Sequence, residues 1–232
     1  MNKQVMLMLL SGTCLLGAAT AVSANETSDN EGYYVSVKAT RAYQKADSMD
    51  TSARPGIGSF VSGEEKDNFY NSSLAAGYNF GNGWRVEGEY TFKKKAEYTS
   101  GSTTFPTSFN HMKTENQRFM ANVYKSFYLD YGVSVYGTVG LGVVKTKTGG
   151  WQGNATREYA NNNDTNLAYS IGAGVSYALT SQIAFDLGYR FVDLGKVESG
   201  MNQFANARGL QDEQMKGHLY SNEFFIGARY TF

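Results

Sequence analysis

The chain has 232 residues, enough for one domain with a sizeable buried surface. Its 21 Lys and Arg balance 21 Asp and Glu, so no global basic field points to nucleic acid. Gly 26, Tyr 17 and Phe 14 stand against Pro 2 and Cys 1, a composition that suits a closed all-β structure. Past the N-terminus no run of roughly 18 apolar residues occurs, which excludes helical membrane spans but not a barrel, in which only alternate residues meet lipid.

Residues 1–24 read as an export signal. Lys3 supplies a thin positive start, 4–19 are largely apolar, and Val22-Ser23-Ala24 is a small-residue cleavage site, with the cut placed after Ala24. Residues 25–232 form the expected barrel domain. Cys14 sits inside the apolar stretch after Thr13 and is a poor lipidation site; the mature chain then carries no cysteine.

Period-two alternation marks the strands. The weaker examples come first, at 33–42 and 69–80. Trp84, Val86, Gly88, Tyr90 and Phe92 then alternate with Arg85, Glu87, Glu89 and Thr91. Segment 118–128 is ambiguous, because Phe119/Val123/Phe127 and Met120/Tyr124/Tyr128 are both apolar. Val133 to Val143, Leu167 to Leu179, Ile183 to Phe191 and Tyr220 to Phe232 complete eight strands. Short links at 80–83, 129–132 and 180–182 alternate with long polar links at about 44–68, 94–117, 146–165 and 196–217. That rhythm predicts an eight-stranded antiparallel up-and-down transmembrane β-barrel with four long external loops. Aromatics at the strand ends suit interfacial girdles. Tyr230 and Phe232 close the last strand as an outer-membrane sorting signal would.

Parity places Lys38, Arg85, Arg190 and Arg229 on the inner face with Glu87, Glu89, Asp186 and Glu223. Arg or Lys facing lipid near the midplane costs roughly 2–4 kcal/mol, which explains their confinement. Eight strands leave an interior just wide enough for side chains, so an ion-paired plug is expected rather than a pore.

No catalytic constellation emerges. Of the two histidines, His111 falls in a long loop and His218 has opposite parity to Ser221 and Glu223. No metal-ligand cluster and no cofactor motif appear. Function is therefore expected on the external loops. Loops two and three are locally basic, with Lys93, Lys94, Lys95, Lys113, Lys145, Lys147 and Arg157 beside Trp151. Such clusters suit two polyanions: lipopolysaccharide phosphates in the same membrane, or sulfated polysaccharide on a host cell.

Residues 168–177, Asp186-Leu187-Gly188-Tyr189-Arg190-Phe191, Gly195 and the 222–232 ending resemble the penultimate hairpin and last strand of opacity-type outer-membrane proteins, within them the enterobacterial adhesin/invasins of the Tia, Hek and PagN type. The resemblance implies a monomeric eight-stranded barrel in the bacterial outer membrane, inserted by the barrel assembly machinery. It also implies loops that attach to host cells, often through heparan sulfate proteoglycan. The alternative is a structural or stress-related barrel contacting lipopolysaccharide. The family's loops are variable, so no binding residue carries over by motif.

Overall fold

The computed structural model describes residues 30–49 and 58–232; the expected export signal, 1–24, lies outside the described residues. The strands are β1 Gly32–Asp47, β2 Phe60–Ser62, β3 Lys66–Asn79, β4 Trp84–Ser102, β5 Asn110–Tyr128, β6 Val133–Gln152, β7 Asn154–Ala178, β8 Ile183–Glu198 and β9 Lys216–Thr231. Every pairing is antiparallel; with β2 set aside the strands pair in chain order, and β1 joins both β3 and β9, so the wall closes on itself. Strand β2 is a short flap on β4, from Phe60↔Ser102 to Ser62↔Ser100, and leaves an eight-stranded barrel. Closure satisfies the backbone without an edge, the condition for spanning lipid.

The outward face carries the large apolar residues: Leu141, Val139, Leu167, Ile171, Leu187 and Ile226 are all more than half exposed. At the short-turn end, Tyr33 packs edge-on against Tyr78 with ring centroids 4.9 Å apart, and Tyr230 against Phe232 at 5.3 Å. Rings with one apolar and one wet side suit a membrane interface.

The inward face is polar at membrane depth, and its charges interlock. Lys38 Nζ lies 2.5 Å from Glu87 and 2.8 Å from Glu89. Arg190 forks onto both oxygens of Glu89 at 2.8 Å and donates through Nε to Glu223 at 2.7 Å. Asp186 sits between Arg85 at 3.5 Å and Arg229 at 3.7 Å. The sequence reading omitted Arg118, which donates to Glu223 at 2.6 Å. Tyr124 and Tyr34 donate to Glu87, and Asn122 to Glu89, so the carboxylates are hydrogen-bonded as well as paired. Buried charges need this completeness to be tolerated.

Beyond this network the interior mixes an apolar cluster with buried Gln44, Thr114, Asn116, Thr146 and Thr148. Ala96, Tyr98, Met112, Val144, Val192, Leu194 and Leu219 on the walls pack with Met49, Met215 and Phe204 from the external connections. A packed cap therefore closes the external end over the charges.

The strand lengths correct the expected loops. Segments 94–117 and 146–165 are mostly strand: β4 and β5 are joined by residues 103–109, and β6 and β7 by Gly153 alone, at φ +70°. The reason is solvent. Above the lipid belt an outward strand face meets water and becomes polar, which makes it resemble a loop while the hydrogen-bonded ladder runs on. The barrel wall thus projects well beyond the membrane. The connections 48–65 and 199–215 are closer to their expected extents.

One seam breaks the wall. The β3–β4 ladder runs only from Asn79↔Arg85 to Ser73↔Thr91. Above it, Asn71 Nδ2 donates to the Phe92 carbonyl at 3.0 Å, and the Asp67 carboxylate accepts from Glu97 N at 3.2 Å. Backbone pairing resumes at the top, where Thr99 N donates to the Glu64 carbonyl at 3.0 Å.

Candidate functional site

The projecting part of β4, β5 and β6 presents a basic outer face. Cross-strand registers set its rows. Lys95 pairs with Glu115 and Glu115 with Lys147; Glu97 pairs with Lys113; Gln117 pairs with Lys145. One step closer to the membrane the same strands carry Phe119 and Val143, both lipid-facing. Lys145 is thus the first charge above the apolar belt on β6, and Lys93 flanks it across Glu115.

Five lysines share this face with two glutamates. Glu115 takes Lys93 at 3.1 Å and Lys95 at 3.7 Å, while Glu97 takes Lys113 at 3.8 Å and His111 Nδ1 at 3.0 Å. Among the described residues no ion pair involves Lys145 or Lys147, and both are exposed. Lys95 is the most open of the paired lysines, its side chain 83% accessible. The Lys93 hydrogen bond is the main influence on the Glu115 carboxyl; partial burial opposes it and Lys95 and Lys147 add to it, and the balance holds the group below its usual range.

The triple lysine does not act as one unit. A bulge between Thr91 and Lys94 resets the parity of β4, so Lys93 and Lys95 point outward together. Lys94 is half-buried instead, with Nζ 5.9 Å from the Phe69 ring at the edge of the apolar cap. This corrects its assignment to the open basic surface.

Higher on the face, the His111 ring stacks on Trp151 at 4.7 Å and 9°, and Lys113 Nζ lies 4.2 Å from the Trp151 ring centroid. Trp151 is therefore an ordered aromatic platform with a cation held against it. Arg157 lies apart from this face, on β7 at the crown, with its guanidinium 4.1 Å from the Phe204 ring.

The histidines make no hydrolase arrangement. His218 Nε2 contacts Asp193 at 2.8 Å on the outside, whereas Ser221 and Glu223 are buried inside. Among the described residues no group of three or more His, Cys, Asp or Glu could hold a metal.

Residues 12–232 match the family described as outer membrane protein beta-barrel domain. The chain belongs to that family. It is a bacterial outer-membrane protein. Outer membrane protein PagN of Salmonella typhimurium strain LT2 is 25% identical over 94% of this chain and 97% of the relative. Among solved structures, OprG of Pseudomonas aeruginosa superposes with a TM-score of 0.58 at 14% identity, covering 88% of this chain and 98% of that one. AlkL superposes at 0.51 and 13% identity, covering 92% and 96%. Identities this low establish a shared barrel and nothing finer. The basic face must be argued from its own residues.

Proposed function

We propose that this protein is a surface adhesin/invasin that holds sulfated host polysaccharide on the basic outer face of β4, β5 and β6. The observation that carries the reading is the pair Lys145 and Lys147. Both are exposed and neither makes a close ion pair among the described residues, and they stand beside Lys93 and Lys95 on paired strands. Cations fixed at strand spacing repeat every second residue, roughly 7 Å apart, and can meet successive charges of an extended polyanion. Because the strands are ordered before binding, little conformational entropy is lost on association. The resemblance to adhesin/invasins of the PagN type points the same way.

A second reading rests on a different observation. Lys145 lies one step above Val143 on the same outward face, at the level where lipid headgroups begin. There it would meet lipopolysaccharide phosphates of the protein's own membrane. Both polyanions can be served if the lower lysines hold lipid and the upper ones project past it.

Attachment of a non-adherent strain expressing the protein separates these readings. The expected result is attachment that soluble heparin suppresses, and loss of most of it when Lys95, Lys145 and Lys147 are replaced by Gln with the folded band intact on unheated gels. Absence of any gain in attachment on expression would end the adhesin reading. Attachment that is unaffected by heparin would remove the polysaccharide from it.

A further inference from the structure

At the crown of the barrel, away from the lysine face, lies a depression of 410 Å³ between the 103–109 turn, the Gly153 turn and the 199–215 connection. That volume falls in the range of small-ligand sites, roughly 300–1,000 Å³. Of the residues lining it, Arg157 alone is charged. Asn154, Gln152, Asn206 and Ser108 supply amides and a hydroxyl, and Phe105, 40% exposed, supplies an aromatic surface.

Arg157 is held but not neutralised. Phe204 backs its guanidinium, and Nη2 donates to Gln152 Oε1 at 2.7 Å. Its Nε is buried and has no hydrogen-bond partner, and among the described residues no carboxylate pairs with it. The Nε is closed to solvent, so a ligand in the depression would meet the guanidinium at its Nη1 and Nη2 end. Of the surrounding amides, Asn206 is already engaged, its Nδ2 donating to Asp212 and its Oδ1 accepting from Arg208 N and Leu210 N, and the other two are set as donors. Asn154 Oδ1 is occupied by Thr156 N and Oγ1, and Gln152 Oε1 by Arg157, which leaves the NH₂ groups of both residues as available donors.

The geometry points to a binding site for the carboxylate of an acidic sugar at the end of a glycan. A planar guanidinium fork matches a planar carboxylate in two parallel hydrogen bonds, which an ammonium cannot do. The amide donors and the hydroxyl suit sugar hydroxyls, and the exposed ring of Phe105 suits the apolar face of a pyranose. An acidic peptide side chain would use the fork and leave the amides and the ring idle. The site is independent of the polysaccharide reading of the lysine face, since it shares no residue with it.

The test uses the full barrel in detergent micelles or nanodiscs and saturation-transfer NMR with four probes: the methyl glycosides of N-acetylneuraminic acid, glucuronic acid and glucose, and an acetylated glutamate peptide. One or both acidic glycosides are expected to bind and the glucoside is not. Whichever acidic sugar binds identifies the source of the carboxylate. Arg157→Gln and Arg157→Lys should each weaken binding at least tenfold, the second because charge without the fork is insufficient. Asn154→Asp, which places a carboxylate in the depression, should also abolish it. Replacing Lys95, Lys145 and Lys147 by Gln should leave it unchanged. The assignment is overturned if no acidic glycoside binds up to roughly 10 mM, or if the glucoside binds as well. It is equally overturned if Arg157→Lys matches the unaltered protein, or if an acetylated glutamate peptide binds as tightly as the sugar.

Discussion

Arg190 illustrates how the interior is held. It bridges Glu89 and Glu223, each of which has a second cation, Lys38 and Arg118 respectively. Arg190→Met therefore leaves two buried carboxylates with one partner each. Breaking a buried pair costs about 3–5 kcal/mol, and the second cations should keep the loss toward the lower end. The urea midpoint of the refolded barrel in lipid vesicles should fall accordingly, and adding Glu89→Gln should restore part of it. No shift in the midpoint would mean that Arg190 is dispensable to the network. On the outer face, Glu115 restrains the lysines around it. Glu115→Gln should strengthen retention on immobilised heparin about two- to fivefold, the order of one exposed ion pair. The sign with pH follows from its lowered carboxyl range. Its contribution to stability is complete above the ordinary glutamate value of about 4.3 and is lost as the pH falls through the lower folded value. With His111 replaced by Gln, which removes the one imidazole of this face, heparin retention should therefore stay flat from neutrality to about pH 5 and rise only in stronger acid. A rise between pH 7 and 5 in that variant would show that Glu115 does not control the face.

Glycines on the inner face of β6 and β7 make room for the large side chains between them, and this is a property of the strands as a set. A Cβ on Gly174 would stand 2.4 Å from the Leu187 carbonyl oxygen and 2.4 Å from the Tyr136 hydroxyl, whereas one on Gly137, facing lipid, meets nothing within 4 Å. Gly174→Ala should cost about 1–3 kcal/mol by overpacking. Gly137→Ala should be neutral, so equal urea midpoints for the two variants would refute the account. The seam between β3 and β4 belongs to the same scale. Amides in 66–72 and 92–98 should exchange hydrogen faster than those in 142–148 and 163–169, which are paired throughout that stretch on β6 and β7. Alternation made the eight strands legible wherever a lipid-facing residue differs in kind from its inward neighbour. It failed on β5, where Met120 and Tyr124 pack inside as bulkily as Phe119 and Val123 pack outside, and Arg118 was lost with the parity. It failed again at Lys93-Lys94-Lys95, because a bulge within a run of one residue type leaves no mark in the pattern. The crown depression was invisible for a different reason. Arg157, Asn154 and Gln152 are brought against Phe105 and Asn206 only by three connections meeting in space.

At the scale of the whole molecule the barrel is a filled post rather than a conduit. At membrane depth its cross-section is occupied by the ion-pair network together with Tyr124, Tyr136 and Phe225. Toward the external end it is occupied by the apolar cap, in which Tyr98, Leu194 and Leu219 are essentially inaccessible. The two layers block permeation by different physics. An ion entering from the periplasmic side meets side chains whose charges are already neutralised at hydrogen-bond distance, so it gains no replacement for its lost hydration. An ion that passed them would still have to cross a packed layer in which methionine, valine, leucine and tyrosine are interleaved with only neutral amides and hydroxyls at Gln44, Thr114, Asn116, Thr146 and Thr148. The protein in planar bilayers should therefore give no stable conductance level, and removing one layer alone should not open it. Arg190→Met thins the charge layer and leaves the cap, so it should lower stability without creating a channel. A cap variant, Leu194→Ser with Leu219→Ser, should likewise stay closed. Steady nanosiemens-scale steps from the unaltered protein would show that the interior rearranges in lipid. Such steps would return transport to the functions that this scaffold could serve.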